Sequence, residues 1–263
     1  MRFATLLDGT AVQVRDESYA PLAGRVVDHL MRDAGGERRT WLPLDGAVLG
    51  PPVRPAKVVC LGLNYADHIA ESGLASPQRP LLFGKLSTTI VGHGQPIVRP
   101  AHVSQLDFEA ELAVVIGRPG RHIREEDAFD HVGGYACFND VSDRESQLGD
   151  GQWFRGKNMD TFGPLGPWIV TPDEVTDPHA LDIACTVNGE VRQSSNTRQL
   201  VFKIPEIIAF CSQSFTLEPG DVIATGTPGG VGLATQTWLA PGDVVEVTIG
   251  QIGTLRNEVV AEK

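Results

Sequence analysis

The sequence predicts an α+β fold dominated by β-structure, with mixed sheets packed or rolled together and a few short helices. Three observations carry this. The apolar runs are short and end at Gly, Pro or Asp rather than extending to helix length. Asn188 and Gly189, set between CTV and VRQ, form a two-residue hairpin signal. Strands do not alternate regularly with helices, which argues against a doubly wound sheet or a barrel of βα units.

In chain order, residues 1–55 read as a small N-terminal region with weak strand signals, a helix-like stretch over Ala23–Asp33 and a loop. Pro51, Pro52 and Pro55 mark the connection to the main domain, residues 56–263. Lys57 to Leu63 is an apolar run suited to a buried strand. Short helices are expected near Tyr65–Ser72, Glu125–Phe129 and Pro205–Ser212, the last with proline in its first turn. Pro219-Gly220-Asp221 and Pro241-Gly242-Asp243 make turns before the strands VIAT and VVEVTI. There is no internal repeat.

Composition narrows the function. A formal net charge of -11 disfavours nucleic acid as a partner, because phosphates would be repelled. No apolar stretch is long enough to span a bilayer, and the patch Phe3 to Leu7 stops too early for a signal peptide, so a cytoplasmic protein without membrane contact is expected. Cys60, Cys137, Cys185 and Cys211 are widely spaced and form no CxxC pair; they read as buried small apolar side chains rather than zinc ligands or disulfides.

The most informative segment is SQLDFEAELAVVIGR, Ser104 to Arg118. In a strand, Asp107, Glu109 and Glu111 share one face and Phe108, Ala110, Leu112, Val114 and Ile116 share the other. Beyond Glu111 both faces are apolar, which marks a strand buried on both sides. Asp140 follows a second apolar run, Tyr135 to Phe138. Carboxylates gathered where buried strands emerge repel one another unless a cation joins them. An all-oxygen set suits Mg²⁺, with Mn²⁺ or Ca²⁺ as alternatives, rather than zinc. Spacing alone leaves a second reading open, an exposed strand with solvated acids.

The series GLNYADHIAESG, LLFGKLSTTIVGHGQPI, DFEAELAVVIG, VGGYACFNDVSDRESQ, RGKNMDTFGPLGPWIVT, VNGEVRQ, LEPGDVIATGTPGGVG and PGDVVEV resembles the fumarylacetoacetate hydrolase family from about Lys57 to Glu258. The resemblance implies a β-roll catalytic domain, usually a homodimer, with Glu109, Glu111 and Asp140 as metal ligands. It leaves Asp107 as a supporting acid. It also implies the smaller members of the family, because the extra N-terminal carboxylate of the larger enzymes has no counterpart here.

The remaining site residues follow from the same resemblance. His68 and Glu71 share a helical face, with Asn64 capping that helix and Gly73 ending it, and match a lid pair that activates water. Lys157 matches an active-site lysine, Arg144 and Gln147 match substrate-facing positions, and Thr227 in TGTPGGVG matches a contact to the substrate carboxylate. The plain alternatives are a surface helix, a solvated lysine, salt bridges of Arg144 with Asp143 or Glu145, and a turn that merely needs glycine. Trp153, Phe154, Phe162 and Trp168 are read as packing, and Lys85, followed by Leu86 where proline is frequent, receives no role. The expected substrate is a small 2-oxo acid. Hydrolysis of a C–C bond in a 2,4-dioxo acid is favoured, with isomerisation, tautomerisation or decarboxylation of a related diacid as the alternative. A metal-binding scaffold without activity is the third reading.

Overall fold

The computed structural model describes residues 1–31, 39–149 and 151–263. Its strands form a large sheet, a five-stranded sheet and a two-stranded ribbon, with short helices between them. Pairing is mostly antiparallel with parallel exceptions, so the mixed, β-rich α+β reading holds.

Four adjacent strands of the large sheet position the site. Val58–Gly62 runs parallel to Val222–Ala224, which lies antiparallel to Ala110–Ile116, which in turn pairs antiparallel with Val132–Asn139. This order brings Gly62, Thr225, Ala110 and Asn139 to one end of the sheet. Ala110–Ile116 is buried along its whole length, as its apolar pattern requires. Leu112, Val114 and Ile116 pack in one core with Ile183, Val245, Val247 and Ile249 of the five-stranded sheet. Ala113 and Val115 face a second core with Val58, Cys60, Ala136, Phe138 and Val222. The strand therefore has no solvated side, and acids at its end must be satisfied inside the protein.

The hairpin forms as expected between Asp182–Val187 and Glu190–Asn196, with Asn188 and Gly189 at φ of 53° and 79°. The expected helices appear as Ala66–Ser72, the 3-10 segment Glu125–His131, and Ile204–Ser214. All four cysteines are free and buried.

Three expectations need correction. Ala23–Asp33 does not form a helix among the described residues, which exclude Arg32 and Asp33. Asp28 instead accepts the Arg25 N–H at 2.8 Å and closes a single 3-10 turn, Val26–Asp28. Asn64 does not cap the helix; that position falls to Tyr65, without a side-chain bond. The Asn64 amide faces inward, donating to Thr225 O and Phe202 O and accepting from Phe202 N, because a buried amide takes the partners the core offers. Finally, Asp107 and Glu111 do not sit on one continuous strand. Leu106–Asp107 pairs with Ser142–Asp143, the ladder breaks at Phe108–Glu109, and Ala110–Ile116 begins a new one. No helix among the described residues is long and apolar enough to cross a membrane.

Candidate active site

Glu109, Glu111 and Asp140 converge. Each offers an oxygen within 4.8 Å of the others, and all three are buried. The backbone makes this possible: Asp140 N donates to Glu109 O at 2.9 Å, and Asn139 Oδ1 accepts from Glu109 N at 3.0 Å, so the two strand ends are stitched where the acids emerge. Glu111 Oε2 accepts from Gly226 N at 2.8 Å, whereas Oε1 is buried with no partner among the described residues.

Cations surround the trio. Lys157 Nζ donates to Glu109 Oε2 at 2.7 Å and Asp140 Oδ2 at 2.8 Å. Arg144 Nε donates to Asp107 at 2.7 Å and NH1 to Gln147 Oε1 at 2.8 Å. Its NH2 lies 2.6 Å from Glu109 Oε1, so the guanidinium is ion-paired to both Asp107 and Glu109. Neither Asp143 nor Glu145 is the ion-pair partner of this guanidinium.

Lys85 requires a correction. It is buried, donates to Asp140 Oδ1 at 2.6 Å and to Val141 O at 3.1 Å, and so belongs to the charged cluster. A lysine inside the apolar run LLFGKL is costly to bury without a carboxylate, and that cost was the available signal. Gln193 was also missed; in sequence it is one polar residue of a hairpin strand, and nothing local marks it.

The electrostatics follow from crowding. Burial resists the Glu109 charge, but Lys157 and Arg144 outweigh it and hold the carboxyl down at about 2. For Glu111 the balance reverses: burial, then Asp140 and Glu109, outweigh the Gly226 N–H and Lys157 and push its carboxyl well above the ordinary range. Burial likewise works against the Lys157 ammonium, yet Asp140 and Glu109 keep its pKa above the usual lysine value. Lys157 is thus a fixed cation. An oxygen trio with one repelled carboxylate and an unpartnered buried oxygen fits a hard divalent ion.

The trio meets a cavity of about 120 Å³ through Glu109, which lines it with His68, Arg144, Gln147, Lys157 and Thr227, while Glu111 and Asp140 lie behind that lining; Trp153 and Leu233 are among its apolar walls. Sites for drug-sized ligands hold roughly 300–1,000 Å³, so this one suits a small acid. His68 Nδ1 stands 3.5 Å from Glu71 Oε2 without a hydrogen bond. Glu71 does not line the cavity; both its oxygens lie 3.0 Å from Gly230 N, tying the helix to the glycine-rich loop. Asp107 supports the loop as well, accepting from Gly232 N at 2.7 Å and Leu233 N at 2.9 Å. Trp153 packs edge-on against Phe83 and Phe162 is buried, but Phe154 is exposed and packs nothing at the site.

Comparison with known proteins places this geometry. The profile described as fumarylacetoacetate (FAA) hydrolase C-terminal matches residues 57–260. The chain belongs to the fumarylacetoacetate hydrolase family. Within that family it is 50% identical over 216 residues to a Bos taurus protein named oxaloacetate tautomerase FAHD2A, mitochondrial, covering 81% of this chain and 69% of the relative. A crystal structure of 2-hydroxyhepta-2,4-diene-1,7-dioate isomerase from Mycobacterium marinum is 37% identical, with a TM-score of 0.84 and coverage of 100% of this chain and 99% of that one. Maleylpyruvate hydrolase from Sphingobium sp. SYK-6, solved with manganese(II) and pyruvate, is 35% identical, with a TM-score of 0.85 over 100% of both chains. The family contains hydrolases, isomerases and tautomerases, and family membership does not choose among them.

Proposed function

We propose that this chain is a divalent-metal-dependent enzyme that moves a proton within a small 2-oxo diacid, as a tautomerase or isomerase of the oxaloacetate or 2-hydroxydienoate class. The observation that carries it is the buried carboxylate trio, one oxygen of it unpartnered, whose Glu109 opens on a small cavity walled by two cations. The tautomerase and isomerase names among the relatives support the same class.

Glu109, Glu111 and Asp140 would hold the ion, Mg²⁺ with Mn²⁺ or Ca²⁺ as alternatives, and when bound it supplies positive charge that polarises a keto oxygen. Lys157 adds a second, permanent charge where negative charge develops on that oxygen. Arg144, ion-paired to Asp107 and Glu109, lines the cavity and would bind a substrate carboxylate there, and Gln147 keeps the guanidinium plane in place through NH1. His68 takes the proton from the carbon beside the keto group and returns it to oxygen, or to a carbon further along a conjugated chain. No other bond is broken.

Hydrolysis of a 2,4-dioxo acid is the second reading, favoured by one observation: Glu71 lies close enough to His68 to support an imidazolium that has taken a proton from water. The hydroxide adds to the 4-keto carbon, the C3–C4 bond breaks, and the departing enolate takes a proton at C3 from His68, giving pyruvate and a second acid. We place the working unit as a homodimer, which light scattering tests.

The deciding experiment follows the protein with Mg²⁺ or Mn²⁺ by NMR against enol oxaloacetate, an acylpyruvate and a hydroxymuconate-type diacid. The reading expects metal-dependent loss of the enol signal without new acids, and its disappearance in Glu109→Ala with the fold intact. Metal-dependent release of pyruvate from the acylpyruvate alone transfers the assignment to hydrolysis. Metal binding without turnover of any of the three leaves a scaffold and ends the proposal.

A further inference from the structure

Gln193 comes from Glu190–Asn196 in the five-stranded sheet, yet its side chain reaches the site and is fully buried. Its Oε1 accepts from Ala110 N at 2.9 Å, between the proposed ligands Glu109 and Glu111. Its Nε2 donates to Pro228 O at 2.8 Å and to Thr227 Oγ1 at 2.8 Å.

These partners fix the amide in one orientation. The Ala110 N–H can only donate and the Pro228 carbonyl can only accept, so a flipped amide would face N–H with N–H and oxygen with oxygen. The hydrogen aimed at Thr227 is therefore certain in direction, and Thr227 Oγ1 must accept it. The hydroxyl's own proton is left to another partner. Among the described residues no acceptor takes it, and Thr227 lines the cavity.

We infer that Gln193 is a positioning residue that holds the Thr227 hydroxyl with its proton free to donate toward the cavity, so that Thr227 favours an acceptor oxygen of the ligand, such as the carboxylate expected there from the family resemblance, over an N–H donor. The inference rests on the proposed reading in that a small acid occupies this cavity. A hydroxyl that accepts from an amide is also polarised into a stronger donor. The hold of Thr227 on an acceptor oxygen of the ligand is thus set from behind the loop, by a residue that does not line the cavity.

The test uses the full chain loaded with Mn²⁺ and two readouts: KM and kcat on oxaloacetate, and the Kd of oxalate by calorimetry, which needs no turnover. Thr227→Val and Gln193→Met are each expected to raise KM and the oxalate Kd about tenfold or more, the cost of a hydrogen bond to a charged group. kcat stays within about threefold, and Thr227→Ser keeps wild-type affinity because it restores the donor. The double variant should lose less than the sum of the two single losses, the shared part being what Gln193 exerts through that hydroxyl rather than through Ala110 N or Pro228 O. Two results overturn the inference: wild-type oxalate affinity in Thr227→Val, or a full additional loss when Gln193→Met is added to it. Should Gln193→Met fail to fold, the Thr227→Val and Thr227→Ser pair still decides whether the donor matters. If oxalate shows the expected pattern while oxaloacetate and the other acids are not turned over, the proposed reaction fails and this inference stands.

Discussion

Replacing Lys85 by Met should show how much of the charged cluster rests on a residue that the chain pattern left without a role. Lys85 Nζ sits 2.6 Å from Asp140 Oδ1, and neither side chain reaches solvent. At an effective dielectric of 20 that attraction is about 6 kcal/mol, partly offset by the cost of desolvating the ammonium. Losing one member of a buried pair costs about 3–5 kcal/mol. Asp140 retains Lys157 on its other oxygen, which places the loss near the lower figure. With roughly 2–4 °C of Tm per kcal/mol in a chain of this size, metal-free Lys85→Met should melt about 6–12 °C below wild type. Mn²⁺ should then raise the Tm of the variant by more than it raises wild type, because the ion replaces the missing charge. Melting curves in EDTA and in MnCl₂ measure both. A metal-free Tm within 2 °C of wild type, or a smaller Mn²⁺ shift, would refute the reasoning.

Three further outcomes are expected. Asp107→Asn sets an amide against Arg144 Nε and the N–H groups of Gly232 and Leu233, so stability should fall by about 3–5 kcal/mol and KM should rise with Arg144 unmoored; denaturant midpoints and steady-state kinetics check this. Gly230→Ala puts Cβ 2.2 Å from Arg192 O at a φ of +95°, costing about 2–5 kcal/mol, and chemical denaturation showing a loss under 1 kcal/mol would count against the loop geometry. His93 and His179 each accept a backbone N–H, from Arg256 and Ile204, and burial first, then Arg256 and Lys203 respectively, lowers their pKa values below 6.5. The folded chain then binds fewer protons than the unfolded one, so stability falls as pH drops through 6.5 toward the folded values. Melting between pH 7.5 and 5 should be less acid-sensitive in a His93→Gln, His179→Gln variant, and an unchanged slope would contradict this account.

Much of the centre was legible because it combines two periodicities. An apolar run with both faces apolar carries alternating acids at its start, and a second such run ends in Asp140, so local pattern brought the acids forward as ligand candidates while the family resemblance, not spacing, set aside a solvated strand. The Asn188–Gly189 hairpin and the short helices were legible for the same local reason. What escaped depends on partners far along the chain. Lys85 meets an acid 55 residues away, and Gln193 meets Ala110 at a separation of 83. Asn64 had a local reading as a cap, and tertiary contacts to Phe202 and Thr225 overrode it. Asp107 shared a parity with Glu109 and Glu111, but periodicity does not reveal that the ladder breaks between them.

Val58–Gly62 and Val222–Ala224 run in the same direction, so the segments after them leave the sheet side by side, one bearing His68 and the other Thr227. The acids stand on the neighbouring pair, Ala110–Ile116 and the end of Val132–Asn139. Under the proposed function, the part of recognition carried by His68 and Thr227 is therefore written in stretches separate from the proposed cation ligands, whereas Arg144 and Gln147 follow Asp140 in its own stretch. A lineage can rewrite the two outgoing segments while the anionic anchor stays untouched. One scaffold bearing tautomerase, isomerase and hydrolase names is what such a division of labour yields.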